Sequence, residues 1–313
     1  MTRYVATRIA GMVVVMLIVA VLVFSITRFA PGDPAAVMLG EQATAADIAQ
    51  LRASYGLDKP VPVQFLYWLS ELARGNLGQS IFLQRPVTQA LAERAEPTFF
   101  LTLFSIVVAM LIGVPCGVAA AVWRGKLVDQ AFSGFAMLGA SIPSFWLGLI
   151  LMQIFAVRLG WFPVAGYGDP GVPITDRLHH LILPAIVLGI VNSALILRFT
   201  RASMLDVLGE DHIRTARAKG VSESRVVLHH ALRNALIPVI TVVGLTFALL
   251  IGGAIVTETV FGLPGIGNLV VSAVLRRDYP VIQGALLVIA GLYVLINLLI
   301  DLLYLAIDPR VKY

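Results

Sequence analysis

The sequence predicts an all-α membrane protein with six transmembrane helices, a small external helical cap after the first span and a helical cytoplasmic loop between spans four and five. Three observations carry this. Hydrophobic residues make up 58% and charged residues 13% of the 313 residues. Soluble domains hold about 45–50% and about 25%, so too little polar surface remains here to cover a water-soluble body. Six stretches carry no Asp, Glu, Lys or Arg: 9–27, 97–123, 130–157, 178–197, 234–257 and 279–300. Each passes the ~18 apolar residues that mark a candidate spanning helix. The basic residues are also unevenly shared. The N-terminus, the 124–129 turn, the 198–233 segment and the tail hold 13 basic and 7 acidic residues, the opposite connections 10 and 11. Basic excess marks the cytoplasmic side, so both termini are expected inside. The net charge of +5 then needs no nucleic acid to explain it.

Taken in order, residues 1–8 are the expected cytoplasmic N-terminus and 9–28 the first transmembrane helix. Its charge-free run exceeds the roughly 7–15 residues of a signal-peptide core, and no Ala-x-Ala-like site closes it, so a retained helix is expected. Residues 29–96 are then external. Thr44 and Asp47 resemble a capping box, Ile48, Leu51 and Tyr55 recur at helical intervals, and Gly56 offers a left-handed stop. Pro60 and Pro62 predict an extended stretch before a helix near 63–73 that stops at Gly75, and a third short helix is expected from Pro86 to Glu96. Such a cap serves either to shield the spans or to receive a partner or guide substrate.

The other five spans, at about 97–123, 130–157, 178–197, 234–257 and 279–307, form with their connections a core over 97–313. Gly113 and Gly117 stand four apart, which permits close helix approach, and Pro115, Pro143 and Pro184 mark kinks. The outer loops carry Trp161, Phe162, Pro163 and Tyr167, then Phe261, Pro264 and Tyr279; an interfacial belt accounts for most of these aromatics. Residues 257–267, Thr-Glu-Thr-Val-Phe-Gly-Leu-Pro-Gly-Ile-Gly, are too glycine-rich for a continuous helix. They are expected to dip back into the protein, where such backbone is shielded from lipid or lines a cavity.

Catalytic signatures are missing. The sequence holds no G-x-x-x-x-G-K-[ST] phosphate loop, no H-E-x-x-H and no G-x-S-x-G. The pairs His179-His180 and His229-His230 point to different sides of a helix and make poor paired ligands, so no metal site is expected. Cys116, the single cysteine, reads as a packing residue. Proton-coupled carriers need ionisable groups at mid-membrane, whereas only Glu258 and Asp301 approach such positions, both near span ends. The energy source must lie elsewhere, and the protein needs a surface to receive it.

Residues 205–233 supply that surface. Glu210 and Asp211 stand early and Arg217 and Lys219 late in a short predicted helix, matching the helix dipole. Gly220 stops it, Ser222 suits an N-cap, and Val221 with Val226 has hydrophobic-staple spacing before a second helix that runs through Pro238 into the fifth span. A basic linker resting on anionic headgroups is the plainer alternative. Mixed charges, small Ala216 and Ala218 and a tight glycine turn favour docking of another protein.

Arg214-Thr215-Ala216-Arg217-Ala218-Lys219-Gly220, continued by Arg233-Asn234-Ala235-Leu236-Ile237-Pro238, resembles the EAA loop of bacterial ABC import permeases. The closest likeness is to the dipeptide, oligopeptide, nickel and glutathione group, which Phe199-Thr200-Arg201-Ala202-Ser203, Pro31-Gly32-Asp33-Pro34 and 257–267 also resemble. Where the general motif has glutamate and its first alanine, this chain has Arg214 and Thr215, as the peptide group does. The resemblance implies a permease in the bacterial inner membrane, part of a heteromeric ABC transporter. It implies partners: a second homologous permease, two cytoplasmic ATPases that use ATP and Mg, an external solute-binding protein and the lipid bilayer. No cofactor is implied on this chain. Residues 214–220 become the ATPase-coupling site, and Glu258, Phe261, Gly262 and Pro264 a candidate external gate or path. Peptide is the expected cargo, with nickel complexes or glutathione as alternatives. A secondary transporter or channel is the reading from another class, but inverted repeats and broken midplane helices are not visible. An intramembrane enzyme would need paired polar groups within the spans.

Overall fold

The computed structural model describes residues 2–29, 44–54, 58–168 and 171–307. The helices are α1 (Thr2–Phe29), α2 (Ala45–Ser54), α3 (Val61–Ala73), α4 (Val87–Val122), α5 (Leu127–Ser141) and α6 (Ser144–Leu151, continued by a π-helical stretch Met152–Arg158). There follow α7 (Ile174–Leu208), α8 (Asp211–Ala218), α9 (Glu223–Arg225, opening into a π-helical stretch Val226–Ala231), α10 (Leu232–Gly253), α11 (Ile255–Val260), α12 (Ile266–Leu275) and α13 (Tyr279–Ile307). Among the described residues, five helices are long and apolar enough to cross a membrane, or six if the pair α5 and α6, bent by 100°, is one span. The bend has a local cause. Pro143 pushes the residue before it out of the helical region, and Ile142 is accordingly extended, at φ −81° and ψ 123°.

Several boundaries differ from the sequence expectation. The separate helix over 86–96 does not exist, because its residues form the first turns of α4. No glycine interrupts the chain there, and Pro97 lies inside the helix, as prolines can in spanning helices. The cap helix begins at Val61, so Pro62 sits within its first turn, where the missing N–H costs nothing. Helix α7 runs well past the charge-free stretch at both ends. Pro31–Pro34, Tyr55 and Gly56 lie outside the described residues, as does the side chain of Asp47. Tyr167, Phe261 and Tyr279 are buried, so packing within the protein and not an interfacial belt accounts for them; Trp161 is exposed.

The chain divides into two compact units, 1–95 with 268–294 and 96–267 with 295–312. In the first, α3 packs on α1 through Phe24, whose ring lies 5.3 Å from Phe65 and 5.5 Å from Trp68. A buried carboxylate organises its loop 80–82: Asp278 accepts from Ser80 Oγ at 2.5 Å, Ile81 N–H at 3.2 Å and Phe82 N–H at 3.1 Å. In the second unit, α4 and α7 approach closely over small residues. A Cβ on Gly117 would lie 2.6 Å from Thr200 Cβ and 2.7 Å from the Leu197 carbonyl, and one on Gly113 2.8 Å from Ile196 Cβ. Around this contact Leu101, Ile106, Leu181, Leu183, Val187 and Ile196 form a hydrophobic core with α10 and α11.

Candidate functional site

The loop between the fourth and fifth spans is an elbow that the chain holds from inside. Helix α8 rests on the body through Ile213, fully buried, and Ala216, which packs on the cluster of Met204, Val207, Val226, Val227 and Ala231. Arg214, Thr215, Arg217, Ala218, Lys219 and Gly220 face outward. Of the seven predicted coupling residues, Ala216 is therefore the one turned into the protein.

The elbow ends α8 by a Schellman pairing. Gly220 N–H donates to the Arg217 carbonyl at 2.9 Å and Val221 N–H to the Ala216 carbonyl at 3.2 Å. Gly220 takes φ +75°, which glycine adopts without steric cost, and a Cβ there would meet nothing within 4 Å. Val221 and Val226 share the cluster beneath, as staple spacing predicts. Ser222, however, makes no side-chain cap. Its place is taken by a brace across the turn, in which Arg217 donates to Glu223 at 2.6 and 3.1 Å. That hydrogen bond pushes the Arg217 guanidinium still further up, so it is charged at any working pH. Thr215 returns its hydroxyl to the Asp211 carbonyl at 2.9 Å. The outward face is thus a short ridge of mixed charge, on which Arg214 pairs with Asp211 and Arg217 with Glu223.

A second tie was not foreseen from the sequence. Arg201, on α7, grips Asp129 at the start of α5 through two hydrogen bonds of 2.6 and 2.8 Å, and Asp129 also accepts Gly125 N–H at 2.9 Å. The bidentate geometry compensates for taking two charges out of water.

The candidate gate residues separate into two kinds. Glu258 is wholly buried: it accepts Thr98 Oγ1 at 2.6 Å, and that oxygen accepts Ile266 N–H at 2.9 Å. Gly265 and Gly267 press their backbone on the carboxylate so closely that a Cβ on either would collide with it. Phe261 is buried against Gly148, and its carbonyl accepts Gly166 N–H at 2.9 Å. Gly262 is exposed and Pro264 half-buried. The 257–267 segment is a helix–turn–helix, with Gly262 at φ +58° stopping α11 as Gly220 stops α8. Among the described residues no group of three or more His, Cys, Asp or Glu is placed to hold a metal. The His229 and His230 rings, expected on different sides, meet edge to face at 5.3 Å.

A family profile described as "Binding-protein-dependent transport system inner membrane component" matches residues 113–313, and its N-terminal counterpart matches 1–102. The chain belongs to this family. It is a membrane-spanning permease subunit of an ABC importer, an integral protein of the inner membrane. The permease is 48% identical to the "Probable peptide ABC transporter permease protein y4tP" of Sinorhizobium fredii, over 99% of both chains. It is 49% identical to the "Glutathione transport system permease protein GsiC" of Pectobacterium atrosepticum, over the whole of both. In fold it resembles a solved structure of the MetNI methionine ABC transporter in an inward-facing conformation. The TM-score is 0.60 at 20% identity, over 70% of this chain and 97% of that one.

Proposed function

We propose that this permease forms half of a translocation path for small peptides, with a second homologous permease as the other half. Two cytoplasmic ATPases carry ATP and Mg, and an external binding protein delivers cargo. Both termini are cytoplasmic. The outward ridge of α8 seats in a groove on an ATPase, and closure of the ATPases around ATP moves the spans between inward- and outward-facing states. ATP can drive that switch only because the docked surfaces interact differently in the two states.

The observation that carries the reading is the elbow: an exposed ridge of paired charges, braced across its turn and ended by a glycine with open space above it. Small-peptide cargo is supported by relatives named for peptide and glutathione transport; glutathione is itself a tripeptide. The test is reconstitution in liposomes. This chain alone should neither hydrolyse ATP nor move peptide, and ATP-dependent uptake of a labelled di- or tripeptide should appear when all partners are present. Uptake by this chain alone without ATP would overturn the reading.

A further inference from the structure

Helix α3 belongs to the stretch assigned to the external cap, yet its polarity is the reverse of a helix that packs on protein and faces water. The half-buried side carries Gln64 and Glu71 beside Phe65, Trp68 and Leu72. The exposed side carries Val63, Leu66 and Tyr67, at 45%, 64% and 64% exposure, with Ala73 and a single polar residue, Ser70. Ser70 donates its hydroxyl to the Tyr67 carbonyl at 2.7 Å and so needs no water. The charged groups gather at the C-terminal end, where Glu71 holds Arg74 at 2.9 Å and Asn76 at 2.8 Å.

Depth along the spans adds an independent observation. Trp68 and Leu72 pack on the cluster of Ala20, Val23 and Leu287. The apolar stretch of α1 ends at Ile26, which puts Val23 and Ala20 ~4.5 and ~9 Å inside it at 1.5 Å per residue. Leu287 lies ~12 Å along α13 from Tyr279 by the same rise. These depths bracket the ~5–10 Å at which membrane-surface helices bury their apolar side. They hold whichever end of α1 is external.

We infer that α3 is embedded in the leaflet that adjoins the C-terminal half of α1, with its Val63, Leu66 and Tyr67 face covered by lipid acyl chains. A water-facing cap would expose three large apolar side chains while hiding its polar ones, and a lipid-facing helix removes that conflict.

The test is site-directed spin labelling in lipid nanodiscs, on a Cys116→Ala background, with nitroxides at Leu66→Cys and Arg74→Cys. Each is measured for the permease alone and for the assembled transporter. Leu66→Cys should collide several-fold more with oxygen than with a water-soluble nickel chelate, in both preparations, and Arg74→Cys should show the opposite order. Nickel collisions at Leu66→Cys equal to those at Arg74→Cys would overturn the inference in favour of a water-exposed cap. Exclusion of both reagents on assembly would overturn it in favour of a protein partner. Val63→Cys gives the same reading should Leu66→Cys fail to reach the membrane.

Discussion

Replacing Gly220 separates backbone strain from loss of docking space. The residue sits at φ +75°, where an ordinary L residue pays about 1–2 kcal/mol. A Cβ there meets nothing within 4 Å, so inside this chain strain is the whole cost. One kcal/mol shifts the elbow equilibrium about fivefold and two about thirtyfold. Gly220→Ala should therefore insert normally and lose transport a few-fold, and Gly220→Val, β-branched, should lose more. Gly220→Asn is the discriminating variant, because asparagine tolerates the left-handed region. With strain largely removed, its transport should stay low only if a side chain now stands where the proposed docking brings the ATPase backbone. Uptake, membrane abundance and co-purification of the ATPases are measured together. Full uptake by Gly220→Val at normal abundance would refute the docking of this elbow.

Two further outcomes follow from the packing. Gly117→Ala places a methyl 2.6 Å from Thr200 Cβ, and overpacking of that kind costs about 1–3 kcal/mol; an unchanged melting temperature in detergent would show that α4 and α7 are not in such close contact. Arg277 ends α12 at φ +56° without being glycine; Arg277→Gly relieves about 1–2 kcal/mol of left-handed strain against about 0.5–1 kcal/mol of added chain entropy. A small rise in thermal stability is expected, and a fall would contradict it.

The elbow was legible because glycine at a helix end has one steric meaning, and because acids early and bases late fix the direction of α8. Which face of α8 looks outward was not, since Ile213 and Ala216 are too few to show a stripe in eight residues. The ties between Arg201 and Asp129 and between Thr98 and Glu258 join residues 72 and 160 apart, and no local pattern encodes such pairs. Of the prolines marked as kinks, Pro143 stands at a break in the chain. Pro97, Pro115 and Pro184 lie inside continuous helices. The polarity of α3 was written in the sequence, but its meaning depends on what it packs against.

Helix α7 has 35 residues, a rod of about 52 Å at 1.5 Å per residue, and its C-terminal end is joined to α8 through Gly209 and Glu210 alone. The Arg201 grip on Asp129 falls about 10 Å from that end and about 40 Å from the other. With Leu181, Leu183, Val187 and Ile196 packed in the core beyond it, the grip is no free pivot; it fastens α5 to α7 close to the elbow. A force taken up at α8 therefore reaches α5 through this pair as well as α7 through the chain.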